Sequence, residues 1–109
     1  MARSKDFGMI SNVSRQFSKE TSLEMFGRMC RIRYFELRVK EAYDAGLIKM
    51  PVYLSVGQEA VAAGLAAVFK NPAIFGQHRS HDLYLAYGGD PAALRDELLH
   101  KETGCARGM

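Results

Sequence analysis

The sequence predicts a mostly α-helical chain with one or two short strands. Three observations predict it. A T-x-x-E pair at Thr21 and Glu24 precedes a long stripe of apolar residues at steps of three and four. A run of small apolar residues between 60 and 69 is stopped by Asn71-Pro72. Asp90-Pro91 then restarts a helix as N-cap and first helical residue.

Residues 1–20 mix Ser, Lys and Arg without sustained periodicity and read as a loose N-terminal arm. The capping box then opens a helix at Thr21. Met25, Met29, Ile32, Phe35, Val39, Ala42 and Tyr43 form its apolar stripe, and Gly46 ends it. Arg31 and Arg38 flank the stripe on one side, Arg33 and Lys40 on the other. With Glu36 and Glu41 among them, these charges read as a solvated face.

Residues 47–56 form a connector with Pro51 and a candidate strand at 52–54. A second helix is expected over 58–70. It is apolar nearly all round and built of small side chains, which calls for close neighbours on several sides. Residues 73–76 look like a short buried strand, and residues 77–82 lead from it into a third helix that runs to about Tyr87. Gly88-Gly89 breaks the chain, and the fourth helix runs from Pro91 to near Thr103-Gly104.

The chain has 109 residues, 48% of them hydrophobic and 25% charged, which excludes wholesale disorder. A net charge of +3 suits an anionic ligand but falls short of a dedicated nucleic-acid surface. The apolar run at 60–69 is much shorter than the roughly 18 residues of a membrane span. Two cysteines, Cys30 and Cys105, make no disulfide framework, so a cytoplasmic setting is expected.

His78-Arg79-Ser80-His81 carries the strongest local chemistry. It opens the third helix, where unpaired backbone N–H groups favour an anion. An arginine there can clamp a phosphate with two parallel hydrogen bonds. Surface capping is the plain alternative. A metal site on His78, His81 and Asp82 is a third reading, though the spacing lacks the i, i+4 geometry of a helical His pair. Glu59, in the first turn of its helix, reads as a capping carboxylate.

At these positions the chain resembles a known family. Arg33-Tyr34-Phe35-Glu36, followed by Ala42-Tyr43 and Gly46-Leu47-Ile48, is similar to that family's R-x-F-E…L-Y-x-x-G-x-I opening. Leu54-Ser55-Val56-Gly57-Gln58-Glu59-Ala60 resembles its L-x-x-G-Q-E-A segment, and His78-Arg79-Ser80-His81 its Y/H-R-x-H-G segment. Gly88-Gly89-Asp90-Pro91, Glu97-Leu98 and Thr103-Gly104-Cys105 continue the likeness. The family is the α subunit of the thiamine diphosphate-dependent decarboxylating component of 2-oxo acid dehydrogenases, of pyruvate, branched-chain and acetoin types.

The resemblance implies the N-terminal portion of an α/β/α thiamine diphosphate-binding fold. Residues 21–109 would then be a partial domain that ends before the family's G-D-G…N magnesium–diphosphate motif. By the same resemblance Arg79 and His78 bind the cofactor diphosphate, and His81 is the catalytic-site position near the entrance. Gln58 and Glu59 hold helix starts near the site. The cofactors would be thiamine diphosphate and Mg²⁺, whose ligands lie outside this chain; no metal ligand is expected within it. Expected partners are the remainder of the α subunit, a β subunit and a lipoyl carrier protein, with no nucleic acid and no membrane. The implied reaction is oxidative decarboxylation of a 2-oxo acid with acyl transfer to the lipoyl carrier, and the chain alone is expected to be inactive. Two positions depart from the family pattern: Tyr53 stands where the family has a histidine, and Asp82 where it has a glycine. A non-catalytic helical interaction or regulatory module, or a gene remnant, is the alternative.

Overall fold

The computed structural model describes residues 17–109. Four helices follow in order: α1 (Lys19–Asp44), α2 (Glu59–Val68), α3 (His81–Ala86) and α4 (Pro91–Leu98). The first three pack on one another in every pairing.

The first helix starts at Lys19 rather than at Thr21, so the last two residues assigned to the loose arm belong to its first turn. Ser18 is the N-cap: its hydroxyl accepts the Thr21 backbone N–H at 3.1 Å and donates to the Thr21 hydroxyl at 2.9 Å. Thr21 therefore lies inside the helix. The remainder of that arm, residues 1–16, lies outside the described residues. Gly46 closes the helix in the left-handed region at φ +76°, a conformation that favours glycine.

Ile32, Phe35 and Val39 of the predicted stripe are buried, whereas Tyr43 at its end is exposed. They join Ile48, Ala62, Ala66, Leu85, Ala86, Leu94 and Leu98 in one apolar core. The stripe carries one further buried member, Glu36. The solvated-face reading fails for this residue, which is fully buried. Glu36 lies four residues after Ile32 and three before Val39, on the inward side of the helix.

The small-residue helix buries Ala62, Ala63 and Ala66 and leaves Val61, Leu65 and Val68 exposed. Among the described residues no strand forms. Residues 52–54 and 73–76 are irregular, and Phe75, expected in a buried strand, is 97% exposed. The reason is pairing: extended backbone becomes a strand only with a neighbour to complete its ladder, and neither segment has one. The third helix ends at Ala86, one residue before the expected Tyr87, whereas the fourth stops at Leu98, short of the expected end near Thr103-Gly104. After α4 the chain folds into turns held by Glu97, whose Oε2 accepts backbone N–H groups from Ala106 and Gly108, each at 2.8 Å.

Candidate functional site

Two buried carboxylates organise the region between α1, the 53–58 loop and α3. Glu36 reaches the core from α1. Its Oε2 accepts the backbone N–H of Ser55 at 2.9 Å, and its Oε1 lies 2.8 Å from His81 Nδ1. A carboxylate oxygen accepts, so the shared hydrogen sits on Nδ1. Phe35 meets the His81 ring edge-on, centroids 6.3 Å apart at 83°. A single α1 glutamate thus fixes both the connector and the first residue of α3.

Glu59, the other carboxylate, begins α2. Arg33 of α1 grips it with two hydrogen bonds, from Nε to Oε1 and from Nη2 to Oε2, the second at 3.2 Å. Oε2 also accepts the Gly57 N–H at 3.0 Å. Hydrogen bonding from Arg33 holds the Glu59 carboxyl down at about 2, against burial, which alone would push it up. The expected capping role is visible in the Gly57 contact. The pairing with Arg33, 26 residues away, is the larger part of what Glu59 does.

The candidate ligand-binding residues separate into two places. His81 is turned inward on Glu36, with 14% of its side chain exposed. His78 and Arg79 stay exposed on the loop before α3 and gather round Tyr53. The His78 and Tyr53 rings lie 4.5 Å apart at 58°, and the Arg79 guanidinium carbon sits 5.9 Å from the Tyr53 centroid. Between Arg79 and His81, the Ser80 hydroxyl donates to the Gln77 carbonyl at 2.6 Å. Among the described residues no three His, Cys, Asp or Glu side chains converge as a metal-sized group, so His78, His81 and Asp82 do not form one.

Reasoning from the sequence missed Glu36 and Ser55 as members of this site. Glu36 could have been found from its place in the apolar stripe, since a lone carboxylate at such a position needs buried donors. Nothing local marks Ser55, whose part is played by its backbone.

Known proteins match most of this stretch of chain. It is 39% identical over 92 residues to a pyruvate dehydrogenase E1 component subunit alpha of Zymomonas mobilis, covering 83% of this chain and 26% of that protein. The mitochondrial pyruvate dehydrogenase E1 component subunit alpha of Dictyostelium discoideum is 38% identical over 92 residues, 84% of this chain and 24% of its own length. The alpha subunit of an acetoin:2,6-dichlorophenolindophenol oxidoreductase of Bacillus subtilis is 35% identical over 92 residues, again 84% of this chain, and 28% of that protein. The chain belongs to this α-subunit family. It spans about a quarter of the length of the curated relatives it matches. No family model matches it, and no solved structure does.

Within this α-subunit sequence Asp82 has a measurable consequence. It is buried beside His81 on α3. Burial pushes its carboxyl above the usual carboxylate range, the Leu83 N–H at 2.8 Å opposes this, and the charge of Glu36 adds to it. A raised value in the folded state favours folding while the group is protonated, and the advantage is lost as pH rises through it. Asp82→Asn keeps an oxygen for the Leu83 N–H and cannot ionise. It should raise the melting temperature at pH 7, by up to about 1 kcal/mol in stability, and leave it nearly unchanged at pH 3. Thermal melts at the two pH values check this; a lower melting point at pH 7 would contradict it.

Proposed function

We propose that this chain contributes the leading part of the α subunit to a thiamine diphosphate-dependent 2-oxo acid dehydrogenase. That enzyme would oxidatively decarboxylate a 2-oxo acid and pass the acyl group to a lipoyl carrier. Residues 21–109 would form part of a thiamine diphosphate-binding domain of α/β/α architecture, completed by the remainder of an α subunit and by a β subunit.

Arg79 is the observation that carries the reading. Its guanidinium is exposed, lies 5.9 Å from the Tyr53 centroid, and has no hydrogen-bond or ion-pair partner among the described residues. An oriented but unneutralised guanidinium suits a diphosphate, which it can grip with two parallel hydrogen bonds. His78, whose ring lies tilted against the same tyrosine, adds a donor. These residues fit the diphosphate end of the cofactor, and the Mg²⁺ ligands would come from outside this chain. When bound, the thiazolium supplies the carbanion-stabilising chemistry. His81, with Nδ1 committed to Glu36, would hold or release a proton at Nε2 near the entrance.

Exposed Val61, Leu65, Val68 and Phe75 support an assembly larger than this chain, since they leave apolar surface to be covered. Free thiols at Cys30 and Cys105 suit a reducing, cytoplasmic setting. No described helix is long and apolar enough to cross a membrane.

The test is affinity capture of the chain from its source cells, followed by thiamine diphosphate titration of the recovered assembly with Mg²⁺ present. Capture should recover a polypeptide carrying the G-D-G…N motif or a β-type subunit. Arg79→Ala should leave capture intact and weaken cofactor binding about tenfold or more. Recovery of the chain alone would sink the assembly. Cofactor affinity indifferent to Arg79→Ala would favour a non-catalytic interaction module instead.

A further inference from the structure

At the far end of α3 from Arg79 lies a cationic cavity of about 370 Å³. It is lined by Arg28 and Arg31 of α1, by Lys70 and Asn71 after α2, and by Tyr87 and Gly88 after α3. No carboxylate is among its lining residues. Arg28 and Arg31 stand one turn apart, where like charges repel. Arg28 Nη1 is buried without a hydrogen-bond partner among the described residues, a costly state for a charged donor.

Arginines near two helix C-termini could simply serve the last carbonyls, but that work is done by others. At the end of α2, Lys70 Nζ donates to the Ala66 carbonyl at 3.1 Å. The Tyr87 hydroxyl lies 3.1 Å from the Leu65 carbonyl and 3.0 Å from that of Phe69. At the end of α3, the Leu83, Leu85 and Tyr84 carbonyls accept the N–H groups of Tyr87, Gly88 and Gly89. Two helix ends also bring only about half a negative charge each, against three cations.

We infer that this cavity is an anion site for the phosphoryl group of a small soluble molecule, with Arg28 as the principal ligand. A phosphoryl group carries close to two negative charges and three acceptor oxygens, enough to engage both guanidiniums, where a single carboxylate would leave charge uncompensated. The volume falls within the roughly 300–1,000 Å³ of small-molecule sites, so the remainder of such a molecule can be accommodated. The site shares no residue with the Tyr53–His78–Arg79 group and stands independently of the thiamine diphosphate reading.

The full chain is titrated with inorganic phosphate at constant ionic strength, following the backbone amides of Asn71 and Gly88 by NMR. Saturable shifts are expected at both. Arg28→Gln should weaken binding about tenfold, Arg28→Lys should restore part of it, and Arg79→Ala should leave the Gly88 response unchanged. If Arg28→Gln does not fold, Arg31→Gln and Lys70→Gln, which alter exposed side chains, should each weaken binding. Non-saturating shifts, unchanged affinity in these variants, or a response confined to the loop around Arg79 would overturn the inference. The last outcome would leave the diphosphate reading standing.

Discussion

Glu36→Ala should cost about 3 kcal/mol of stability, read from urea denaturation, a large part of the roughly 5–15 kcal/mol that holds a domain of this size. The effect is large because three things fail together. The fully buried Ser55 N–H loses its acceptor. His81 loses the group that orients it. A cavity opens beside Ile32 and Val39. Glu36→Gln separates these losses. The Ser55 N–H can only donate, so the amide oxygen must face it and the amide NH₂ must face His81 Nδ1. That arrangement forces Nδ1 to accept and moves the ring hydrogen to Nε2. The glutamine variant should therefore retain most of the stability and switch the His81 tautomer, visible in its ring ¹⁵N shifts. A loss below about 1 kcal/mol for Glu36→Ala would show that Glu36 does not hold these elements together.

This arrangement explains which features could be read from the sequence. Helices were legible because their signals are local: a stripe of period 3.6, an Asn-Pro stop, an Asp-Pro start. Even so, the start of α1 was misplaced, since Ser18 and Thr21 are both competent caps and only the geometry distinguishes them. The two strands failed because strand formation is decided by a partner elsewhere in the chain, and local β preference at residues 73–76 could not supply one. The site was half legible. Arg79 and His78 stood out by residue type and place, and remain exposed together. The contact between Glu36 and His81 spans 45 residues and depends on how α3 docks on α1, which no local pattern encodes.

Acid should weaken the fold across the window from about pH 4.5 down to about 2, and Arg33 should determine how steeply. Glu59 titrates at about 2 when folded, against an ordinary value of 4.5. A lowered folded value contributes stability that is fully present above the unfolded value and is lost as pH falls through the folded one. Arg33→Met removes the cause of the lowering while keeping much of the side chain's bulk. Glu59 would then be a buried carboxylate with the backbone N–H groups of Gly57 and of Glu59 itself as its remaining donors, and burial would favour its protonated form. At pH 7 the variant should be measurably less stable, by less than the full cost of breaking a buried pair because the Arg33 side chain is 49% exposed. Near pH 3 the difference from the parent should shrink, and the parent's acid slope should flatten or reverse. Adding Glu59→Gln to Arg33→Met should recover part of the loss at pH 7, because the stranded charge is gone. Equal losses at pH 7 and pH 3, or no recovery in the double variant, would mean that Arg33 contributes by packing along α1 and not by neutralising the carboxylate that starts α2.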